Sequence, residues 1–214
     1  MVRSKQTSPH AWLMVEVDMT SVAELRKARK DEFQRRNGAS LTYLPFVARA
    51  TCESLREFPM VNSTWSGDGI IQRGDINLGI AVALEDNLIV PVLRHADRLS
   101  ISGLAVAMAD LAARARANQL KLDEIQGGTF TLNNTGALGT ILTQPIINQP
   151  QAGILAMDSV VRRPVVIEGD AIAIRSIMNL CLSFDHRIVD GLQASRFARA
   201  VKEKLESVDA ESMF

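Results

Sequence analysis

A histidine at the end of an apolar run is the first feature of this sequence that could do chemistry. His186 follows the run that ends at Phe184, and Asp190 and Gly191 come just before a helical pattern. An imidazole with an ordinary pKa of about 6.5 suits proton transfer near neutral pH, so His186 is a candidate general base. Asp190 could orient the site or pair with a neighbouring arginine, and Gly191 would let the backbone turn tightly. Spacing alone allows a structural or surface role for His186 just as readily.

A second candidate is the polar loop that follows the β-rich run at Thr129–Leu132. Asn133 and Asn134 open this loop, and Gly136 and Gly139 follow them. Side-chain amides and backbone N–H groups in such a loop can approach a ligand closely, because glycine leaves the backbone uncovered. The alternative is an ordinary Asx/glycine turn that binds nothing.

The residue types argue against two other chemistries. The three histidines, His10, His95 and His186, form no His-x-x-x-His or His/Cys cluster, so we predict no metal site. The sequence also has no Gly-x-Ser-x-Gly motif, which argues against a serine hydrolase.

The surrounding patterns predict the helices that would position these two stretches. The first helix begins at a capping box, Ser21–Glu24, and ends at Asn37-Gly38. The second runs from about Thr42 to before Pro59, the third runs from Ser100 to about Gln119, and the last begins after Gly191. The apolar residues expected to face inward on the last two helices are Leu104, Met108, Leu111, Phe197, Val201 and Leu205.

Runs rich in β-branched and apolar residues predict the strands, with a hairpin or a short connection at residues 85–87. The predicted strands are Leu13–Asp18, Ile76–Leu84, Leu88–Leu93, Thr129–Asn133, Gly153–Met157 and Ile172–Phe184. Because strands and helices do not alternate regularly, we predict an α+β fold. It should contain one mixed, mainly antiparallel sheet covered by helices, in a single domain over residues 1–214.

The overall composition excludes several classes of protein. Lys+Arg and Asp+Glu both number 24, so the formal net charge is zero. A nucleic-acid or membrane-surface protein would carry a basic excess, so we expect neither partner. The longest apolar stretches stop short of the ~20 residues that a membrane span needs. Cys52 and Cys181 lie in apolar contexts without a Cys-x-x-Cys pair, which favours buried free thiols in the cytoplasm.

Taken together, the stretches resemble the catalytic domain of the dihydrolipoamide acyltransferases, the core components of 2-oxo acid dehydrogenase complexes. The family's His-x-x-x-Asp-Gly motif is similar to residues 186–191, and its Thr-Phe-Thr loop is similar to Thr129–Gly139. Pro145–Pro150 and Leu88–Val92 resemble two further family runs, and the order of the matches is the family's from Ser8 to the last helix. The histidine motif is shared with chloramphenicol acetyltransferases, so the resemblance implies a fold of that type.

The resemblance implies a mechanism and an assembly. His186 would remove the proton from the coenzyme A thiol, which then takes the acyl group from a dihydrolipoyl thioester. Asn133 stands where the family usually has Ser or Thr, and its amide would donate to the oxyanion. The family site lies between subunits of a trimer, so His186 and Asn133 would meet only across a subunit interface of a homotrimer. Asp190 completes the histidine motif.

Contacts with coenzyme A are also implied by the resemblance. An arginine of the first long helix corresponds to Arg26, with Lys27 as a near rival, and a hydroxyl at the start of the next helix corresponds to Thr42. Asn133 and Asn134 complete this set. The alternative is that Arg26 lies on a solvated helix face and that Thr42 is an N-cap.

Subgroup resemblance implies a branched-chain acyl group, since the Asn-Asn-Thr-Gly loop and the "SVVRRPVV" run look like a bacterial branched-chain type. We expect a piece of a longer protein, because Met1–Ser4 fall inside the domain's first helix, and the lipoyl and partner-binding domains are absent from this chain. The trimers would assemble into a larger shell with decarboxylase and dihydrolipoamide dehydrogenase components. Val208, Met213 and Phe214 form either a frayed terminus or an anchor for a neighbouring trimer. Two rival functions stay open: an acetyltransferase for a small hydroxyl substrate, and a mainly structural scaffold.

Overall fold

The computed structural model describes residues 1–67, 69–85 and 87–209. The helices in this part of the chain are α1 (Val2–Thr7), α2 (Thr20–Asn37), α3 (Leu44–Glu57), α4 (Ile101–Arg116) and α5 (Gly191–Glu206). The strands are β1 (His10–Asp18), β2 (Ser63–Trp65), β3 (Ile70–Gln72), β4 (Leu78–Ile80), β5 (Val82–Ala83), β6 (Leu88–Ile89), β7 (Val92–Leu93), β8 (Phe130–Asn134), β9 (Gly153–Met157), β10 (Val161–Val166) and β11 (Ile172–Asp185).

One seven-stranded sheet organises the described residues, in the order β1-β11-β9-β8-β4-β7, with β10 paired to the first half of β11. The pairs β1–β11, β9–β11, β10–β11 and β4–β7 are antiparallel. The central pairs β4–β8 and β8–β9 are parallel. The predicted α+β class, with a mixed and mainly antiparallel sheet, is confirmed.

One face of the sheet carries the apolar core because side chains alternate along a strand. Leu132, Leu155 and Leu182 lie side by side in register on β8, β9 and β11, and all three are buried. Phe197 of α5 packs against Phe130, with ring centroids 5.8 Å apart. Burying a side chain of this size stabilises the fold by roughly 1.5–3 kcal/mol, so this layer holds the sheet under α5. All six inward-facing residues predicted on α4 and α5 are buried.

The other face of the same strands borders a cavity. Thr131 and Asn133 alternate with the core residues of β8, and they line a cavity together with Ile154 of β9. Residues of α1 and of the segment 145–150 form the opposite wall of this cavity. The sheet therefore separates a packed side from a side on which a ligand can be held.

Several predicted element bounds need correction. The prediction of one strand over Ile76–Leu84 is wrong, because the chain leaves the large sheet at Ala81 and β5 pairs with β6 in a separate hairpin. Leu84 donates its N–H to the Asn87 carbonyl, so the predicted hairpin is confirmed, while Asp86 lies outside the described residues. The capping box at Ser21–Glu24 is also wrong, since α2 begins at Thr20 after Met19.

The remaining helix signals have mixed outcomes. Gly38 ends α2 in the left-handed conformation at φ 67°, and the Ser100 side chain caps α4 by accepting the Gly103 N–H, both as predicted. The N-cap role considered for Thr42 is wrong, because Tyr43 occupies that position before Leu44. Val208 packs against the core of its own chain, whereas Met213 and Phe214 lie outside the described residues.

Candidate active site

The backbone around His186 is held on both sides. Its N–H donates to the Pro9 carbonyl at 3.0 Å, and the preceding N–H of Asp185 donates to the Ala152 carbonyl at 2.8 Å. The imidazole itself is exposed, with its centroid 5.7 Å from the Phe184 ring. Among the described residues, none forms a hydrogen bond with the His186 ring nitrogens. A fixed backbone therefore presents an imidazole that is free to act on another molecule.

Asp190 is the N-cap of α5. Its carboxylate accepts the N–H of Gln193 at 2.7 Å and caps α5. The expectation of an Asp190–arginine pair is wrong, because the neighbouring arginine is bound elsewhere. An aspartate N-cap contributes about 0.5–2 kcal/mol to helix stability. Asp190 thus secures the helix that follows the His186 turn.

The arginine in question, Arg187, pairs with Asp185 across His186. Its Nε lies 2.9 Å and 3.2 Å from the two carboxylate oxygens, and its guanidinium stacks 4.6 Å from the Trp65 ring centroid. Burial alone would raise the pKa of Asp185, which is 2% exposed, but the hydrogen bonds from Arg187 lower it below its usual value. Sequence reasoning missed this pair, whose signal was an acid and a base flanking the histidine after a buried strand.

Asn133 lies on the wall of a cavity of about 700 Å³, which Thr131, Asp185 and Arg187 also line. Its side chain is half-buried, and no hydrogen bond within the described residues occupies its amide. Asn134 differs, because its side-chain oxygen accepts the Ala137 N–H at 3.2 Å and caps a short turn. The Asx turn considered for this loop is therefore formed by the side-chain oxygen of Asn134, while the amide of Asn133 is available to a ligand.

The loop that begins at Asn133 is tied down by a buried carboxylate. Asp158 is fully buried and accepts hydrogen bonds from Thr135 at 2.9 Å and from Thr140 at 2.7 Å. The Ser159 hydroxyl donates to the Gly136 carbonyl. A Cβ on Gly136 would lie 2.4 Å from the Asp158 carbonyl carbon, so only glycine fits this close approach. The sequence patterns gave no signal for this clamp, which depends on residues far apart along the chain.

Asn133 and His186 are far apart within one chain. Asn133 aligns with Ala156 on β9, and Ala156 aligns with Cys181 on β11. His186 follows Cys181 by about five residues, so at about 3.3 Å per residue and about 4.8 Å between strands the two backbones are roughly 15–20 Å apart. Two short side chains at that separation cannot both contact one carbonyl group.

Arg26 and Thr42 lie near each other but away from this cavity. The Arg26 Nε donates to the Leu41 carbonyl at 2.8 Å, next to Thr42, and its guanidinium stacks 4.9 Å from the Tyr43 ring centroid. Thr42 is exposed and Arg26 is half-buried. The structure therefore brings these two predicted residues together, and neither is among those that line the cavity.

Within the described residues, no group of three or more His, Cys, Asp or Glu side chains is arranged to hold a metal ion. No helix in residues 1–67, 69–85 and 87–209 is long and apolar enough to cross a membrane.

The whole chain, residues 1–214, matches the family described as the catalytic domain of the 2-oxoacid dehydrogenases acyltransferases. The chain belongs to this family. It is 49% identical over 212 residues to the lipoamide acyltransferase component of the branched-chain alpha-keto acid dehydrogenase complex of Bacillus subtilis. The aligned residues cover 99% of this chain and 50% of that protein. The chain thus spans about half the length of the curated relative that it matches.

Two solved structures support the same assignment. A probable dihydrolipoamide acetyltransferase from Listeria monocytogenes superposes with a TM-score of 0.97 at 48% identity, covering 100% of this chain and 92% of the other. The dihydrolipoamide acetyltransferase of Azotobacter vinelandii superposes with a TM-score of 0.92 at 33% identity, covering 96% and 85%. That structure belongs to a crystallographic and enzymatic investigation of a serine, a histidine and an asparagine in the catalytic mechanism of that enzyme.

A chloramphenicol acetyltransferase also superposes, with a TM-score of 0.55 at 16% identity over 92% of this chain and 89% of the other. Identity at this level shows a shared fold alone. It confirms the predicted chloramphenicol-acetyltransferase-like architecture.

Proposed function

We propose that this chain transfers an acyl group between a dihydrolipoyl thioester and coenzyme A. The observation that carries the proposal is the pair of unoccupied polar groups in this family's fold: the imidazole of His186 and the amide of Asn133. The Bacillus subtilis relative is a component of a branched-chain complex, which supports a branched-chain acyl group as the substrate.

His186 acts as the general base in the proposed reaction. It takes the proton of the coenzyme A thiol, because the thiolate is the effective nucleophile. The thiolate adds to the thioester carbonyl, and the Asn133 amide N–H donates to the developing oxyanion. The intermediate then expels the dihydrolipoyl sulfur, which takes the proton back from the imidazolium. One thioester replaces another, so positioning of the two substrates should dominate the rate.

We further propose that each site is shared between two chains of a homotrimer. The roughly 15–20 Å between Asn133 and His186 in one chain supports this, since both must reach one carbonyl. The histidine investigated in the Azotobacter enzyme supports the role of His186. Asp190 belongs to the proposed catalytic set with His186 and Asn133, and its carboxylate also caps the helix that follows the His186 turn.

A mixed-trimer experiment tests the shared site. His186→Ala and Asn133→Ala chains are each expected to be nearly inactive alone. In co-assembled trimers, some interfaces join an intact His186 to an intact Asn133, so random mixing at equal amounts should restore roughly a quarter of wild-type activity. Recovery that stays at the level of the separate variants would contradict a shared site, provided that light scattering shows trimers.

For coenzyme A we propose contacts with Arg26, Thr42, Asn133 and Asn134. The proximity of Arg26 to Thr42 supports a phosphate-binding patch, because a guanidinium binds phosphate oxygens well. Arg26→Ala should raise the KM for coenzyme A, and Lys27→Ala on the same helix tests the rival assignment. An equal effect of the two variants would indicate a general charge effect.

The wider assembly belongs to the same proposal. The name of the Bacillus subtilis relative, a component of a dehydrogenase complex, supports assembly of the trimers into a larger core that meets decarboxylase and dihydrolipoamide dehydrogenase components. The two cysteines, both buried and free, support a cytoplasmic location. Assays with acyl-dihydrolipoamide and with small hydroxyl acceptors separate this proposal from its rivals. Transfer only to hydroxyls would contradict it, and no transfer at all would favour a scaffold.

A further inference from the structure

A row of small residues flanks Asn133 on the open face of the sheet. Ile80 aligns with Leu132 in the parallel pair β4–β8, and the next N–H, of Ala81, donates to the Leu132 carbonyl at 2.9 Å. Ala81 therefore lies beside Asn133, with their side chains on the same face about 4.8 Å apart. On the other side, Asn133 aligns with Ala156 of β9.

The neighbouring row of the same strands is already filled. A Cβ on Gly79 would lie 2.8 Å from a methyl of Val90 and 3.0 Å from the Thr131 hydroxyl. Even a methyl group at position 79 thus requires its neighbours to move. One row further on, Ala81 lines the cavity and presents a single methyl next to Asn133.

Part of the cavity lining is aliphatic. Leu88, Val90 and Ile154 line the cavity with Ala81, and the polar Thr131 and the charged Asp185 and Arg187 line other parts of it. A thioester oxygen bound to the Asn133 amide would leave its acyl tail beside Ala81, where these aliphatic side chains can bury a branched aliphatic tail.

We propose that Ala81 is a specificity-determining residue, whose small side chain leaves room beside Asn133 for a branched aliphatic acyl group. This inference rests on the proposed function, because it takes Asn133 as the oxyanion donor. Enlarging residue 81 should exclude a branched tail more strongly than an acetyl group. One methylene of mismatch in an apolar pocket changes relative kcat/KM by about 10-fold or more.

The test measures kcat/KM for isobutyryl-CoA and acetyl-CoA with dihydrolipoamide as acceptor. Ala81→Leu should lower the isobutyryl-to-acetyl ratio by about 10-fold or more, and Ala81→Val should lower it less. Ala81→Gly should raise the kcat/KM for isovaleryl-CoA relative to isobutyryl-CoA. Ala113→Leu is the control, because Ala113 is exposed on α4 outside the cavity, and its ratio should equal that of wild type.

The outcomes separate this inference from the proposed function. An active wild-type trimer with ratios unchanged in all three Ala81 variants would overturn the role of Ala81 and leave the transferase proposal standing. A folded wild-type trimer that moves no acyl group to dihydrolipoamide would overturn the transferase proposal, and the inference with it. If Ala81→Leu does not fold, the Val and Gly variants decide.

Discussion

The His186 turn and the Asn133 loop hold their functional side chains in opposite ways. The His186 backbone is fixed by bonds to Pro9 and by the flanking Asp185–Arg187 pair, and its imidazole points away from these supports into solvent. Asn133 faces a cavity of its own chain, and the loop that follows is clamped from beneath by buried Asp158. One region therefore leaves its functional group exposed, while the other places it in the wall of a cavity.

In each half of the proposed site, hydrogen bonds from residues of the same chain hold the backbone. Assembly of the trimer would then join two prepared surfaces, which keeps the ordering cost low when substrate binds.

Removal of the base should have the largest effect. His186→Ala should lower kcat by about 10²- to 10⁴-fold, because it removes the proposed general base for the thiol proton. Steady-state assays of acyl transfer to coenzyme A measure the kcat of the variant and of wild type. The variant should keep a melting temperature close to that of wild type, since the imidazole is exposed and forms no hydrogen bond within the described residues.

Loss of the oxyanion donor should have the next effect. Asn133→Ala should lower kcat by about 10²- to 10³-fold, and it should also raise the KM for coenzyme A through loss of the proposed contact. Asn133→Ser is the matched variant, since a hydroxyl can also donate, and it should recover part of the lost rate. Equal rates for the Ala and Ser variants would show that donation to the oxyanion is not the role of Asn133.

Removal of the clamp should act on stability. Asp158→Ala removes the buried acceptor shared by Thr135 and Thr140; Thr135 keeps the Met157 carbonyl as an acceptor, and loss of the Thr140 hydrogen bond should cost about 1–3 kcal/mol. Urea unfolding measures this change. Asp110→Ala, on the exposed side of α4, should change the free energy of unfolding far less, and similar losses in both variants would contradict a special role for the clamp.

The Asp185–Arg187 pair predicts a pH dependence. Because Arg187 lowers the pKa of Asp185 in the folded chain, the pair adds stability above the unfolded pKa of about 3.9. That stability is lost as the pH falls below this value and through the folded pKa. The free energy of unfolding should therefore drop on acidification by more in wild type than in Asp185→Asn, and parallel pH curves would contradict the pair's contribution.

The smallest effect is expected at Asp190. Asp190→Ala should cost about 0.5–2 kcal/mol of stability through loss of the α5 cap, with a smaller effect on kcat than His186→Ala. Asp190→Ser should restore the cap and the melting temperature. A variant with restored stability but strongly reduced kcat would give Asp190 a direct part in catalysis.

Local patterns were sufficient for several elements. The run Gly153–Met157 forms β9 with the predicted bounds, because a continuous apolar stretch fits a strand buried on both faces. In contrast, β10 was not predicted, since Pro164 and two arginines interrupt its apolar pattern. It forms because Val161–Val166 pairs along the extended first half of β11. The run at Ile76–Leu84 was too uniform to show where the chain changes sheets.

The sequence by itself determined the fold class, the sheet's apolar layer, the His186 motif and the Asn133 loop. These depend on periodicity and on residues close together along the chain, and both signals can be recognised in the amino-acid sequence alone. Only the tertiary structure decided that Arg187 pairs with Asp185, that Asp158 clamps the loop, that Ala81 lies beside Asn133 and that Asn133 is far from His186. Each of these depends on strand register and on contacts between distant segments, because a pairing partner is selected by packing in three dimensions and leaves no local pattern.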